Sequence, residues 1–254
     1  ILSTWKNNYK KGREDSRYVV IKIMPCERAD RGGRKNSISY DEMKKRALAC
    51  VVIKNNGDVL IKNIPMVNQG PKGYCVPATW ERYLRYFDMP ADMYLLALVG
   101  GASGIFGTNV NRWDAIMDPI ISSYGKELKR IENIVSFENI SKYIDKGLPI
   151  MWTFSSTPLF QLEADALTKF RALYPHENYD NLDDKSFNTR KNNYEKIWND
   201  LREKKYKSTS RNELLRSMGH ICLIIGYNEK TNQICISDSW GNKYSERWVS
   251  INSM

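Results

Sequence analysis

The chain has 254 residues, 42% of them hydrophobic and 27% charged, with a net charge of +10. That composition suits a globular protein that buries a core as one large domain or two small ones. No run of 18 or more apolar residues occurs, so no membrane-spanning helix is expected.

The positive charge is uneven. Residues 1–62 hold fifteen Lys/Arg against seven Asp/Glu, a balance that fits nucleic acid, anionic envelope polymers or acidic lipid surfaces. No zinc-finger spacing, RNA-binding aromatic motif or long basic helix accompanies it. These charges therefore read as solvated faces of strands and loops, and no nucleic-acid partner is expected. The five cysteines, Cys26, Cys50, Cys75, Cys222 and Cys235, contain no C-x-x-C pair, and an odd number leaves at least one thiol free. With His176 and His220 the only histidines, neither a zinc site nor any cofactor is expected. A start at Ile1 in place of Met implies further sequence upstream.

In chain order, residues 1–17 read as a polar arm and Arg17–Met24 as a strand. Ser39 and Glu42 form a capping-box pattern for a helix over 40–48. Cys50–Lys54 and Val59–Lys62 flank Asn56-Gly57 as a hairpin. The stretch from Gln69 to Leu84 follows. Trp80, Tyr83, Leu84 and Phe87 recur at helical spacing and predict a helix over about 76–87 with one buried face. Pro77 is tolerated only in a first turn, which puts Cys75 at or just before the helix start. There the helix dipole and free N–H groups favour thiolate over thiol. The same position also suits a small buried residue with no chemistry.

Pro90 starts another helix that Gly100-Gly101 ends, and Thr108 caps a helix carrying Val110, Trp113, Met117 and Ile120, bent near Pro119. Gly100–Gly107 lacks the lysine of a phosphate-binding loop. It reads equally as the lining of a cleft, where glycine lets backbone approach an extended peptide, or as a plain interhelix loop. Ser136 caps a helix that Gly147 stops, and Leu148–Phe154 is a buried strand. Residues 155–217 form a charged helical block, an insertion or cap, whose second helix carries Tyr194, Ile197, Trp198 and Leu201.

The last segment is a hairpin, Met218–Tyr227 and Gln233–Gly241. If Tyr227 pairs with Gln233, His220 opposes Trp240, and Asp238 lies diagonally beside His220 on the same face. A bulge would undo this register. The same parity puts Cys222 and Cys235 on opposite faces. A cysteine nucleophile needs a base, and the base needs an orienting partner. His176 sits in a polar loop and reads as a surface residue, which leaves His220 as base and Asp238 as orienter. Gln69, six residues before Cys75, adds an amide donor that, with the Cys75 N–H, suits the oxyanion of a tetrahedral intermediate.

Gln69, Cys75, a histidine 145 positions later and Asp238-Ser239-Trp240-Gly241 resemble the papain-like cysteine peptidases. In that clan the tryptophan shields the orienting residue's hydrogen bond. Val76 in place of tryptophan and Asp238 in place of asparagine, with Pro77 and Gly219-His220, resemble the bacteriocin-leader-processing (double-glycine) branch, and a stand-alone member is expected because no transporter segment follows in this sequence. The resemblance covers roughly 62–154 and 218–251. It implies an α+β papain-like fold, with a helical half led by the Cys75 helix and an antiparallel sheet half, in a single domain over 18–254. It implies peptide hydrolysis through a thioester, with Cys75, His220, Asp238 and Gln69 catalytic and Gly100, Gly101 and Trp240 contacting a peptide or protein substrate. Alternatives are transfer to an amine acceptor, or a non-catalytic binder of peptides or anionic polymers. The resemblance suggests the envelope or exterior of a bacterium, while unpaired cysteines fit the cytoplasm equally well.

Overall fold

The computed structural model describes residues 17–23, 39–102, 110–131, 134–175 and 184–254. Among these, an antiparallel sheet of eight strands forms the spine. The strands are β1 (Arg17–Ile23), β2 (Val51–Ile53), β3 (Val59–Ile61), β4 (Lys126–Ile131), β5 (Ile150–Ser156), β6 (Met218–Asn228), β7 (Gln233–Ser237) and β8 (Arg247–Ser250). The helices are α1 (Tyr40–Ala49), α2 (Cys75–Tyr86), α3 (Met93–Val99), α4 (Val110–Ser123), α5 (Phe137–Ile144), α6 (Pro158–Leu173), α7 (Asp184–Tyr206) and α8 (Arg211–Leu214).

The long strand β6 organises the sheet. β5 and β3 pair with successive parts of it, β7 pairs with its second half, and β8 extends β7. Beyond β5 lie β1 and then β4. β1 is therefore internal to the sheet, and its Val20 and Ile21 are fully buried. The sequence pattern gave no sign of β4, whose charged Lys-Glu-Leu-Lys-Arg stretch lacks apolar alternation, nor of β8.

Several local predictions match. Ser39 Oγ accepts from the Glu42 N–H, but Glu42 turns to Arg46, so only half of the capping box forms. Ser136 caps α5 through the Asn139 N–H. Gly147 then turns the chain at φ +69°, where a Cβ would lie 2.0 Å from the Ala47 carbonyl oxygen. The helix expected from Pro90 starts at Met93 instead, because Asp92 caps it by accepting from the N–H groups of Tyr94 and Leu95. α4 runs through Pro119 and buries Trp113, Met117 and Ile121, one side chain per turn and each worth roughly 2 kcal/mol. Thr108 and His176 lie outside the described residues.

α2 departs from the amphipathic expectation. Nine consecutive residues, Val76 to Leu84, are buried, so the helix is enclosed on both faces. Val76, Trp80, Tyr83 and Leu84 enter the main core. Thr79 and Arg82, one and two turns after Cys75, face the end of β7.

α6 also sits in the main structure. Phe160 and Ala164 belong to the principal core, and Trp248 N–H donates to Thr168 Oγ1. At its C-terminal end Arg171 pairs with the buried Asp58, donates to Gln233 and stacks on Trp248. α7 packs on α6 through a separate small cluster of Leu162, Ala166 and Leu201, joined by Ile197 and Trp198.

Candidate active site

Cys75 is the first residue of α2 and half-buried. The first turn leaves the N–H groups of Cys75 and Val76 without intrahelical acceptors, and Pro77 has none to offer. A thiol here meets the positive end of a twelve-residue helix.

The hairpin brings His220 and Asp238 together by a route other than the one expected. Asn228, not Tyr227, opposes Gln233, and a bulge at Ile225 shifts the register by one. Below the bulge Leu223 opposes Ser237, which restores the phase that sets His220 beside Asp238 and Trp240. The bulge thus creates the register that it was expected to destroy. Gly226 follows directly, where a Cβ would lie 2.4 Å from the Val59 carbonyl oxygen. Cys222 and Cys235 still fall on opposite faces, and both are free thiols.

His220 Nε2 lies 2.7 Å from Asp238 Oδ1, with the two side chains 7% and 0% exposed. The Cys75 thiol lies near enough to the imidazole to raise its pKa, and with Nε2 committed to Asp238 it is Nδ1 that is left to meet it. Trp240 stacks on the ring at 4.7 Å between centroids, and Phe154 of β5 meets it edge-on at 5.6 Å. Burial pulls the imidazole's pKa down, but the hydrogen bonds and charges of Asp238 and Cys75 outweigh it and raise it to about 9. Burial likewise works against the Asp238 carboxylate, which His220 and Arg247 nonetheless hold below its ordinary range.

This coupling sets a pH signature. A histidine whose pKa rises on folding stabilises fully below the unfolded value, about 6.5. That contribution is lost as pH climbs through about 9. Thermal melts of the parent chain and His220→Gln should therefore differ most near pH 6 and converge towards about pH 10. A gap that widened with pH would contradict the pairing.

A polar lattice pins α2 to the strand ends. Thr79 Oγ1 lies 3.1 Å from Ser239 Oγ. Arg82, fully buried, donates to the carbonyls of Pro65 and Ser237 and to Ser239 Oγ, and bonds closely to Ser237 Oγ. The spacing Cys75, Thr79, Arg82 is a polar stripe at i, i+4, i+7, a signal visible in the sequence beside the apolar one. Arg247, by contrast, sits in the short strand Arg247-Trp-Val-Ser with no spacing cue.

Gln69 enters the site through its backbone, whose N–H donates to the Ser239 carbonyl at 2.8 Å. Its side-chain Nε2 makes a long 3.4 Å contact to the Lys72 carbonyl, and its Oε1 is buried without a partner. Gly100 closes α3 against Trp113, where a Cβ would fall 2.2 Å from the ring. Gly101 follows at φ +62° with open space around it. Both glycines thus have a packing or backbone reason to be glycine. Gly100→Ala should destabilise the fold by about 1–3 kcal/mol. Denaturant melts would show this, whereas unchanged stability would point to the cleft role. The cavity of about 220 Å³ among Met43, Arg46, Cys50, Phe87 and Lys126 contains none of the site residues. Among the described residues no cluster of His, Cys, Asp and Glu could hold a metal.

Residues 61–253 match the model of the Peptidase_C39 like family. The chain belongs to that family. No curated protein and no solved structure matches it. The C39-like match spans the helical block 155–217, and the mixed helical and antiparallel architecture is that of an α+β papain-like fold. No helix among the described residues of this C39-like chain is long and apolar enough to cross a membrane.

Proposed function

We propose that this C39-like protein is a cysteine peptidase acting through a thioester at Cys75. The observation that carries the reading is the imidazole of His220, held by the buried Asp238 at 2.7 Å and coupled to the Cys75 thiol at a helix start. Such a ring takes the thiol proton and keeps it as imidazolium beside the thiolate. The thiolate attacks a peptide carbonyl carbon, and the electron pair moves to the carbonyl oxygen. The Cys75 N–H and the Gln69 amide, whose present hydrogen bond is long, are the donors for that oxyanion. On collapse, His220 passes its proton to the leaving amine and the thioester remains. A water, deprotonated by His220, then releases the acid and restores the thiol.

Asp238 orients the imidazole and stabilises its charged form, and the stacked Trp240 shields that hydrogen bond from water. A peptide or protein is the substrate, and turnover on a peptide library tests the reading. Cys75→Ala and His220→Ala should abolish cleavage, while Gln69→Ala and Asp238→Ala should leave a residue of it. Cleavage retained in full by Cys75→Ala would overturn the assignment. Product ligated to an added amine, with little hydrolysis, would replace water by an amine as acceptor.

A further inference from the structure

Only one oxygen of the Asp238 carboxylate faces His220. The other, Oδ2, accepts from Nη1 of Arg247 at 2.6 Å, and Arg247 is itself 2% exposed. The guanidinium is gripped in turn by α6. Nη1 also donates to Gln161 Oε1 at 2.8 Å, while Nη2 donates to Asp165 Oδ1 at 2.9 Å and to the Gln161 carbonyl at 3.2 Å. The second oxygen of Asp165 pairs with Lys205 of α7, whose side chain is 45% exposed. Charges of alternating sign thus run from the surface of the helical block to the imidazole.

We propose that Arg247 is a positioning residue of the site, and that Asp165 of the helical block sets how firmly Arg247 holds Asp238. This rests on the reading of Cys75, His220 and Asp238 given above. A carboxylate bound at one oxygen can swing about its last torsion; bound at both, it keeps Oδ1 on the line to Nε2. A fully buried carboxylate also needs compensation to stay charged, and Arg247 supplies it whether or not the imidazole is protonated. An uncompensated Arg247 would, however, oppose the imidazolium. Asp165 provides the balancing charge.

The other groups facing the ring bound the electrostatics. α2 contributes Cys75, while Arg82 of α2 and the neutral thiol of Cys222 on β6, pushed well up by burial, act on Asp238. The loop after β7 contributes Asp238, and β8 contributes Arg247. Phe154 of β5 and Trp240 present uncharged ring surfaces. Beyond them, Asp165 and Lys205 extend the chain outward, with the phenols of Tyr206 and Tyr244 beside it.

With two histidines in the chain, NMR of the ¹⁵N-histidine-labelled protein follows His220 directly, His176→Gln assigning the signals. Asp165→Asn removes a negative charge and should lower the His220 midpoint by roughly half a pH unit. Arg247→Gln removes a positive one and should raise it, while slowing alkylation of Cys75 several-fold because the carboxylate is no longer held. A purely structural Arg247 would lower melting temperature in both variants with no shift. No shift, or shifts of one sign, would overturn the proposal. If Arg247→Gln fails to fold, Asp165→Asn decides alone, and an unmoved midpoint overturns it. Cys75→Ala separates this from failure of the catalytic reading. A His220 midpoint that ignores Cys75→Ala overturns both, whereas one that falls with Cys75→Ala yet ignores Asp165→Asn overturns the positioning role only.

Discussion

His220→Ala is expected to reduce turnover by roughly 10⁴-fold, the upper range for removing a general acid–base group, while the protein stays folded. The fold survives because Asp238 does not depend on the imidazole alone. Its second oxygen remains paired with Arg247 at 2.6 Å, and its N–H still donates to the Tyr244 carbonyl at 3.0 Å. What disappears is the acceptor for the Cys75 proton and the cation beside the thiolate. Alkylation of Cys75 by iodoacetamide near neutral pH should slow on the order of tenfold or more, since an unassisted thiol is only a few per cent ionised there. Peptide turnover and alkylation rates measured on the same preparations, with a melt to show the fold is intact, check this. A variant that alkylates and cleaves as fast as the parent would leave His220 without a role.

The second large effect concerns stability. Arg82→Met is expected to cost about 3–5 kcal/mol, because a fully buried guanidinium leaves behind several buried acceptors at once. They are the carbonyls of Pro65 and Ser237 and the hydroxyls of Ser237 and Ser239. For a chain of this size that corresponds to a fall in melting temperature on the order of 10 °C. The methionine fills much of the volume, so the loss is of hydrogen bonds and not of packing. Because Arg82 and Thr79 tie the Cys75 helix to the strand end that carries Asp238, activity should fall with stability. A variant as stable as the parent would show that this lattice is incidental.

Much of this site was legible in the sequence because its parts announce themselves locally. A proline two residues after a cysteine fixes the helix start, and two apolar runs around a polar turn fix the hairpin. With His176 set aside, His220 is the histidine that remains as the base. Register was the weak link. The pairing that sets His220 beside Asp238 arises from a one-residue bulge at Ile225, which no alternation of residues reveals. What stayed hidden is long-range polar packing. Arg247 reads as one charge in a short strand, and Asp165 as one of many charges on a helix of a charged block, so nothing local says that they meet. β4 was hidden for a related reason. Its charged sequence pairs with β1 through backbone bonds, which carry no side-chain signature. The polar stripe of Cys75, Thr79 and Arg82 lay in view, but an apolar-periodicity argument looks at the other face of the same helix.

On this reading one thiol among five is chemically prepared. Cys50 is an internal control, since it is a free thiol that is likewise half-buried, while Cys222 and Cys235 are fully buried. Limited iodoacetamide treatment near neutral pH, mapped by mass spectrometry, should modify Cys75 at least about tenfold faster than Cys50. That preference should vanish in His220→Ala. Equal labelling of Cys75 and Cys50, or labelling that ignores His220, would contradict the account.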